Sequence, residues 1–189
     1  MEINLKEYYA DRAQSLAKEI AGLKQKSRSF VAGQIIFFLA FVVFVVLYTT
    51  TAGGRLLLVM AALSVIAYFI VRRFDVLNGE KIATQNSLLQ VYQNEMAYQE
   101  GDYSAFYDGR EYVDPQHPFT FDLDIFGSQS LFQRINRTVT TGGSRRLASL
   151  LSAEHESAQG EIERITLQKE AIDELAEMET WRADFLAIG

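Results

Sequence analysis

The sequence predicts a mainly α chain built around a two-helix transmembrane hairpin, flanked by amphipathic helices and followed by a further all-α region. Three observations carry that prediction. Residues 30–71 contain a single charge, Arg55, whereas the other 41 charged residues lie outside them. Apolar residues at helical spacing recur before and after this stretch, as expected of helices with one buried face. Strand-like alternation is confined to residues 121–126.

Residues 3–28 read as a charged amphipathic helix with Leu5, Tyr8 or Tyr9, Leu16, Ile20 and Leu23 as its apolar stripe. Phe30 to Tyr48 then runs nineteen residues without a charge, fourteen of them Leu, Ile, Val or Phe. Insertion of such a segment is favourable by several kcal/mol, and at about 1.5 Å per residue it reaches roughly 28 Å, close to the hydrocarbon thickness. Leu56 to Val71 is a shorter run of sixteen, whose flanking Arg55, Arg72 and Arg73 can snorkel to the interfaces. The intervening TTTAGGR is only long enough for a turn. Lys18, Lys24, Lys26 and Arg28 precede the first span and Arg72 and Arg73 follow the second. The excess of basic residues on that side predicts a cytoplasmic-membrane protein with both termini in the cytoplasm.

Past the hairpin, Leu88, Leu89, Tyr92 and Met96 mark a helix over about 78–98, which could pair with the N-terminal helix as an antiparallel stalk. Residues 101–120 combine glycine and proline turn signals with Tyr103, Phe106, Tyr107, Tyr112 and Phe119, and show no helical period. His117 reads as a loop histidine, because His155 lies on a separate polar stretch and gives it no metal-ligand spacing. Phe121, Leu123 and Ile125 alternate with Asp122 and Asp124 as a short strand would. Ser128 is placed to cap a short helix carrying Leu131, Phe132 and Ile135, and Thr140 or Thr141 to cap the next, carrying Leu147, Leu150 and Leu151. A helix over about 158–178 presents Ile162, Ile165, Ile172 and Leu175, and a last helical turn holds Trp181 and Phe185. The expected organisation is a cytoplasmic helix at 1–29, the hairpin at 30–71 (spans 30–48 and 56–71), a juxtamembrane helix and aromatic connector at 72–120, and a helical domain from 121 to 189.

Charge excludes some functions. Residues 72–189 carry eleven Lys/Arg against twenty Asp/Glu, so free-standing nucleic-acid binding lacks its electrostatic footprint. The chain has no cysteine, which removes disulfide and thiolate chemistry. No GxxxxGK[ST] loop is present, and Gly142-Gly143 is followed by Ser144-Arg145 without the spacing a phosphate loop needs. The chain alone is therefore not expected to be an enzyme. Two spans with no ionisable residue in either also argue against a transporter.

Residues 122–152 are less generic. Asp122-Leu123-Asp124-Ile125-Phe126-Gly127, Ser130-Leu131-Phe132, Asn136-Arg137-Thr138-Val139-Thr140, then Gly143 with Arg145-Arg146-Leu147 and Leu150-Leu151, resemble the opening of the MutS core domain. In that family a leucine-rich helix, a D/N-R-T-x-T turn, a glycine and a helix with basic residues followed by leucines occur in this order. Gln168 to Leu175 is similar to the family's R-Q-x-A-V-x-E-L helix, with Gln168-Lys169 departing from the usual Arg-Gln order, and Trp181-Arg182 with Phe185 continues the likeness. Together with the hairpin, the pattern is similar to a bacterial subgroup of MutS-related proteins, of the DNA mismatch repair protein family, that begin with two transmembrane helices in place of the mismatch-reading domain.

The resemblance implies that 121–189 starts an all-α MutS-type core whose ATPase domain is absent from this chain, so that the chain is a piece of a longer protein cut at Gly189 or a truncated reading frame. ATP with Mg, DNA, and a homodimer formed through C-terminal domains are then expected of the complete protein only. The family-motif residues are Asp124, Gly127, Leu131, Asn136, Arg137, Thr138, Thr140, Gly143, Arg146 and Leu147. Their local chemistry is structural: a threonine hydroxyl can cap a helix, an arginine can bond carbonyls at a helix end, and Gly143 permits close backbone approach. Arg134, Arg137, Arg145 and Arg146 make 122–152 locally +2 and are candidate phosphate contacts, set against a solvated or carboxylate-paired face. Phe106-Tyr107-Asp108 gives Phe-x-Asp where the family's mismatch wedge has Phe-x-Glu, in a different context. The competing reading is a self-contained membrane-anchored interaction module with no catalytic activity.

Overall fold

The computed structural model describes residues 5–51, 54–152 and 161–188. Its elements are α1 (Leu5–Thr50), α2 (Arg55–Gln99), a 3₁₀ turn (Arg110–Tyr112), α3 (Leu131–Ile135), α4 (Thr141–Leu151), α5 (Glu161–Glu177) and α6 (Glu179–Ile188). The chain divides into two compact units, residues 14–86 and residues 1–13 with 87–189.

Residues 14–86 form an antiparallel pair of helices. Contacts climb α1 as they descend α2: the Asn78 amide donates to the Leu23 carbonyl at 2.9 Å, Ser27 donates to Asp75 at 2.7 Å, and Phe30 stacks on Phe74 at 6.5 Å. The covered positions follow a strict period. On α1 they include residues 16, 20, 23, 27, 30, 34, 37, 41 and 44; on α2 they include 57, 61, 64, 68, 71, 75, 78, 82 and 85. Alternating steps of four and three average 3.5 residues, the repeat of a left-handed coiled coil. Small residues (Gly33, Ala61, Ser64) let the backbones approach, and a Cβ built on Gly33 would meet Val71 Cγ1 at 3.5 Å. A polar clasp interrupts the apolar seam, with Gln34 donating to Asp75 at 3.1 Å beside the Ser27 and Asn78 bonds.

Most residues off the seam face outward. Ile36 is 63 % exposed and Phe69 62 %. Both helices are long and apolar enough to cross a membrane, and none of the most apolar 18-residue window of α1 is buried. The helices predicted to flank the spans are continuous with them, since no proline or helix-ending turn separates residues 28–30 or 71–78.

In the other unit Phe132, fully buried, collects the rings of Tyr107, Tyr112 and Phe126 at 6.3, 5.7 and 5.5 Å, with Ile125 and Ala148 completing the core. Gly109 sits against this ring at φ 67°, and a Cβ there would lie 2.7 Å from Phe132 Cδ1, so both backbone and space demand glycine. Tyr92, 1 % exposed, anchors the N-terminal turns of α1 through the Tyr9 ring at 5.9 Å and the Arg12 guanidinium at 5.8 Å. Tyr8 donates to Glu179 at 2.6 Å, which joins α1 to α6 and pushes the Tyr8 phenol up to about 12.

Two expectations need correction, and one open alternative is resolved. The described residues contain no strand: 119–124 are successive turns in which Leu123 N–H donates to Phe119 O and Ile125 N–H to Thr120 O, leaving Phe121 and Leu123 exposed while Ile125 is buried. An isolated strand has no ladder to join, so local turns satisfy its backbone instead. Ser130, not Ser128, caps α3, its hydroxyl accepting from Gln133 N–H, because Gln129 at φ 63° reverses the chain just before it. Between Thr140 and Thr141 the structure selects Thr140, which accepts from Gly143 N–H. His155 and the start of the helix predicted from 158 lie outside the described residues.

Candidate functional site

The Asn-Arg-Thr turn after α3 converges on α2. Asn136 is 3 % exposed; its amide donates to Tyr107 O at 3.0 Å while its side-chain oxygen accepts from Thr138 N–H and Oγ1 at 2.9 and 2.7 Å. The turn so fixed aims Arg137 at Glu95, with Nε to Oε1 at 2.6 Å and Nη2 to Oε2 at 3.1 Å. Nη1 donates to the carbonyls of Arg134 and Asn136, at 3.1 and 3.0 Å. The guanidinium also lies 3.6 Å from the Phe106 ring centroid and 4.6 Å from that of Tyr98. Four of its five N–H donors are engaged. A phosphate approaching Arg137 would have to displace a bidentate carboxylate, so the arrangement holds the turn to α2.

Beside this node is a cleft of about 540 Å³ between α2, α3 and α6, with Arg134, Arg137, Tyr98, Glu179, Trp181 and Phe185 on its walls. Trp181 and Phe185 stack at 5.4 Å with an interplanar angle of 12°. Arg134 lies over Tyr103 at 5.0 Å. Of the four candidate phosphate contacts, Arg134 and Arg137 meet at this cleft, whereas Arg145 and Arg146 are exposed on α4 and do not line it.

The other motif residues shape the backbone. Asp124 is exposed at φ 49°, and its carbonyl receives Leu131 N–H. Gly127, at φ 105°, donates its N–H to Asp108 O at 2.8 Å. Leu131 is 44 % exposed, whereas Leu147 packs on the Phe132 core. A Cβ on Gly143 would meet Thr140 Oγ1 at 3.2 Å and Thr138 Cβ at 3.3 Å. His117 clamps the loop to the end of α4: its Nε2 faces Ser152 O at 3.2 Å and its Nδ1 accepts from Phe119 and Thr120 N–H at 3.4 and 3.3 Å.

Two components were not readable from sequence. Glu95 lies 42 residues before Arg137, and nothing local marks it as the partner. Gln133, buried, donates to Phe106 O at 2.9 Å and accepts from Gln129 N–H at 2.7 Å, which sutures α3 to the connector.

Gly142 and Gly143 do not form a phosphate loop. Gly142 and Gly143 lie in the first turn of α4, the Gly143 amide is already taken by Thr140, and the sequence supplies no lysine beside them. Among the described residues no cluster of three or more His, Asp or Glu is placed to hold a metal ion.

The buried Asp108 carboxylate accepts from Arg110 Nη2 at 2.8 Å and from Arg110 N–H, which holds it below the usual carboxylate range. A depressed folded value contributes stability at pH above the unfolded value of about 3.9, lost as pH falls through the folded one. Thermal melts should therefore show stability dropping below about pH 4, with a shallower drop in Asp108→Asn; an identical acid slope in the two proteins would remove Asp108 from the linkage.

No protein-family model, curated protein or solved structure matches this chain.

Proposed function

We propose that this chain is the membrane-anchoring N-terminal region of a MutS-like DNA-binding ATPase, supplying location and scaffold while ATP and DNA bind elsewhere in the complete protein. The observation that carries the anchoring half is the outward apolar surface of the hairpin: a soluble core helix would bury most of its most apolar window, and no residue of that window in α1 is buried. What supports the family half is the resemblance over 122–152, with its Arg137 tied to α2 rather than offered to a ligand. In this reading both termini are cytoplasmic, and nucleotide-driven rearrangement of paired cores takes place at the bilayer.

The chain's lack of cysteine makes the topology directly testable. Single cysteines introduced at Ser15 and at Thr51 should be labelled from opposite faces of sealed cells by a membrane-impermeant maleimide, with Thr51→Cys reactive from outside. Labelling of both from the same side would reject the hairpin. For the ATPase half, the full-length gene product in membranes should hydrolyse ATP faster with DNA, and residues 1–189 should not; a natural gene without a Walker-type loop would remove that half.

A second reading is a self-contained interaction module, and one observation weighs against it in favour of a severed core. The apolar face of α5 lies open, with Ile162 76 % and Ile165 55 % exposed. Monodisperse behaviour of residues 1–189 in detergent would support that reading, and aggregation through α5 the MutS-like one.

A further inference from the structure

The end of the hairpin at which α1 enters and α2 leaves the apolar zone carries a collar of cations. Lys24, Lys26 and Arg28 on α1, and Arg72, Arg73 and Lys81 on α2, are all exposed. Among the described residues none of the six forms an ion pair. Asp75, the acid nearest in sequence to the arginine pair, is occupied by Ser27 and Gln34 inside the seam.

The collar surrounds the helix pair. At about 100° per residue, Lys24 and Arg28 share one flank of α1, and Lys26 is turned roughly 160° away. Lys26 and Lys81 line a groove of about 660 Å³ together with Leu23, Leu77, Glu19 and Glu80. The two glutamates temper that groove, whereas Lys24, Arg28, Arg72 and Arg73 have no carboxylate within the adjoining turns other than the occupied Asp75. Arg28, Arg72 and Arg73 abut the apolar runs that begin at Phe30 and end at Val71, with Lys24 and Lys26 within two turns of the first run. Between them Phe74 is 55 % exposed and Leu77 37 %, apolar groups at the same level as the charges.

Long basic side chains alternating with exposed apolar ones, at the boundary of a bilayer-spanning pair, match the layered chemistry of a phospholipid interface. We propose that this collar binds the headgroups of anionic phospholipids, so that the hairpin recruits negatively charged lipid around itself instead of sitting indifferently in the bilayer. The inference rests on the reading of the hairpin as membrane-spanning. Positive-inside orientation needs only the presence of these charges; lipid recruitment also needs them exposed and unpaired, as they are.

The test uses the whole chain reconstituted in phosphatidylcholine vesicles with a trace of spin-labelled lipid. Spin-labelled phosphatidylglycerol should be immobilised by the protein at least about fivefold more than spin-labelled phosphatidylcholine, with the preference falling as salt rises. The quadruple variant Lys24→Gln, Arg28→Gln, Arg72→Gln, Arg73→Gln should bring the ratio to within about twofold of unity, while Arg55→Gln, at the other end of the hairpin, leaves it unchanged. These exposed positions make no packing contacts that folding needs, and circular dichroism of each variant checks that directly. Equal immobilisation of the two lipids by the native chain, or a preference that survives in the quadruple variant, overturns the proposal. Loss of the preference on adding glycerol phosphate would assign the collar to soluble phosphate and overturn it also. A chain that floats with vesicles but shows no preference sinks the collar alone, whereas one that immobilises no lipid and does not float removes the membrane reading beneath it.

Discussion

Phe132→Ala should destabilise the unit formed by residues 1–13 and 87–189 by about 3–5 kcal/mol, a large part of what a domain of this size possesses. The ring is fully buried and three other aromatic rings pack on it, so no neighbour can collapse into the space without abandoning its own contacts. Leu131→Ala, next door on the same helix but 44 % exposed, should cost under about 1 kcal/mol. Denaturant titration in detergent, followed by fluorescence of Trp181, the chain's single tryptophan, reads both. If the two substitutions cost the same, the core has been misplaced. Gly109→Ala should approach the cost of Phe132→Ala, since it combines a left-handed backbone with a Cβ driven into the ring.

Arg137→Lys should be nearly as damaging as Arg137→Ala, each costing roughly 2–3 kcal/mol. Lysine keeps the charge but cannot span both Glu95 oxygens, cap two carbonyls and lie flat against Phe106. The Glu95 side chain is only 17 % exposed and would be left with a poorly compensated charge, while the partial exposure of Arg137, at 26 %, keeps the figure below that of a fully buried pair. A double-mutant cycle with Glu95→Gln should recover about 1 kcal/mol or more of coupling. A freely tolerated Arg137→Lys would indicate a point charge waiting for a phosphate, and would return Arg137 to the candidate ligand contacts.

What the sequence made legible depended on contrast. The uncharged runs stand out against charged flanks, and two threonines stand before a helix-period pattern, so the two long apolar helices could be placed in advance and the cap narrowed to Thr140 or Thr141. The coiled-coil seam could not be read inside the spans, because Phe37 and Phe41 on the seam and Phe38 and Val42 off it are equally apolar. Burial separates them only once the partner helix is present. The alternation of Phe121, Leu123 and Ile125 looked like a strand for the opposite reason: period 2 was visible, but the absence of a neighbouring ladder was not. In the candidate site, Arg137 was readable as bonding carbonyls at a helix end, whereas the Thr138 hydroxyl caps no helix and donates to Asn136 Oδ1 instead, and Glu95, Tyr98 and Phe106 come from elements whose approach is a tertiary outcome.

The 3.5-residue seam also limits how the hairpin can change in length over evolution. Seven residues added to each helix restore the same faces to the same partners, lengthening the pair by about 10 Å in phase. Two residues added to one helix alone rotate everything beyond them by about 200°, turning outward-facing phenylalanines inward and the small seam residues out. The Gln34–Asp75 and Asn78–Leu23 bonds mark the origin of this ruler, since an apolar seam alone would fit equally well one heptad out of step and these polar partners would not. Length variants of this hairpin should therefore differ in multiples of seven, counted outward from Asp75.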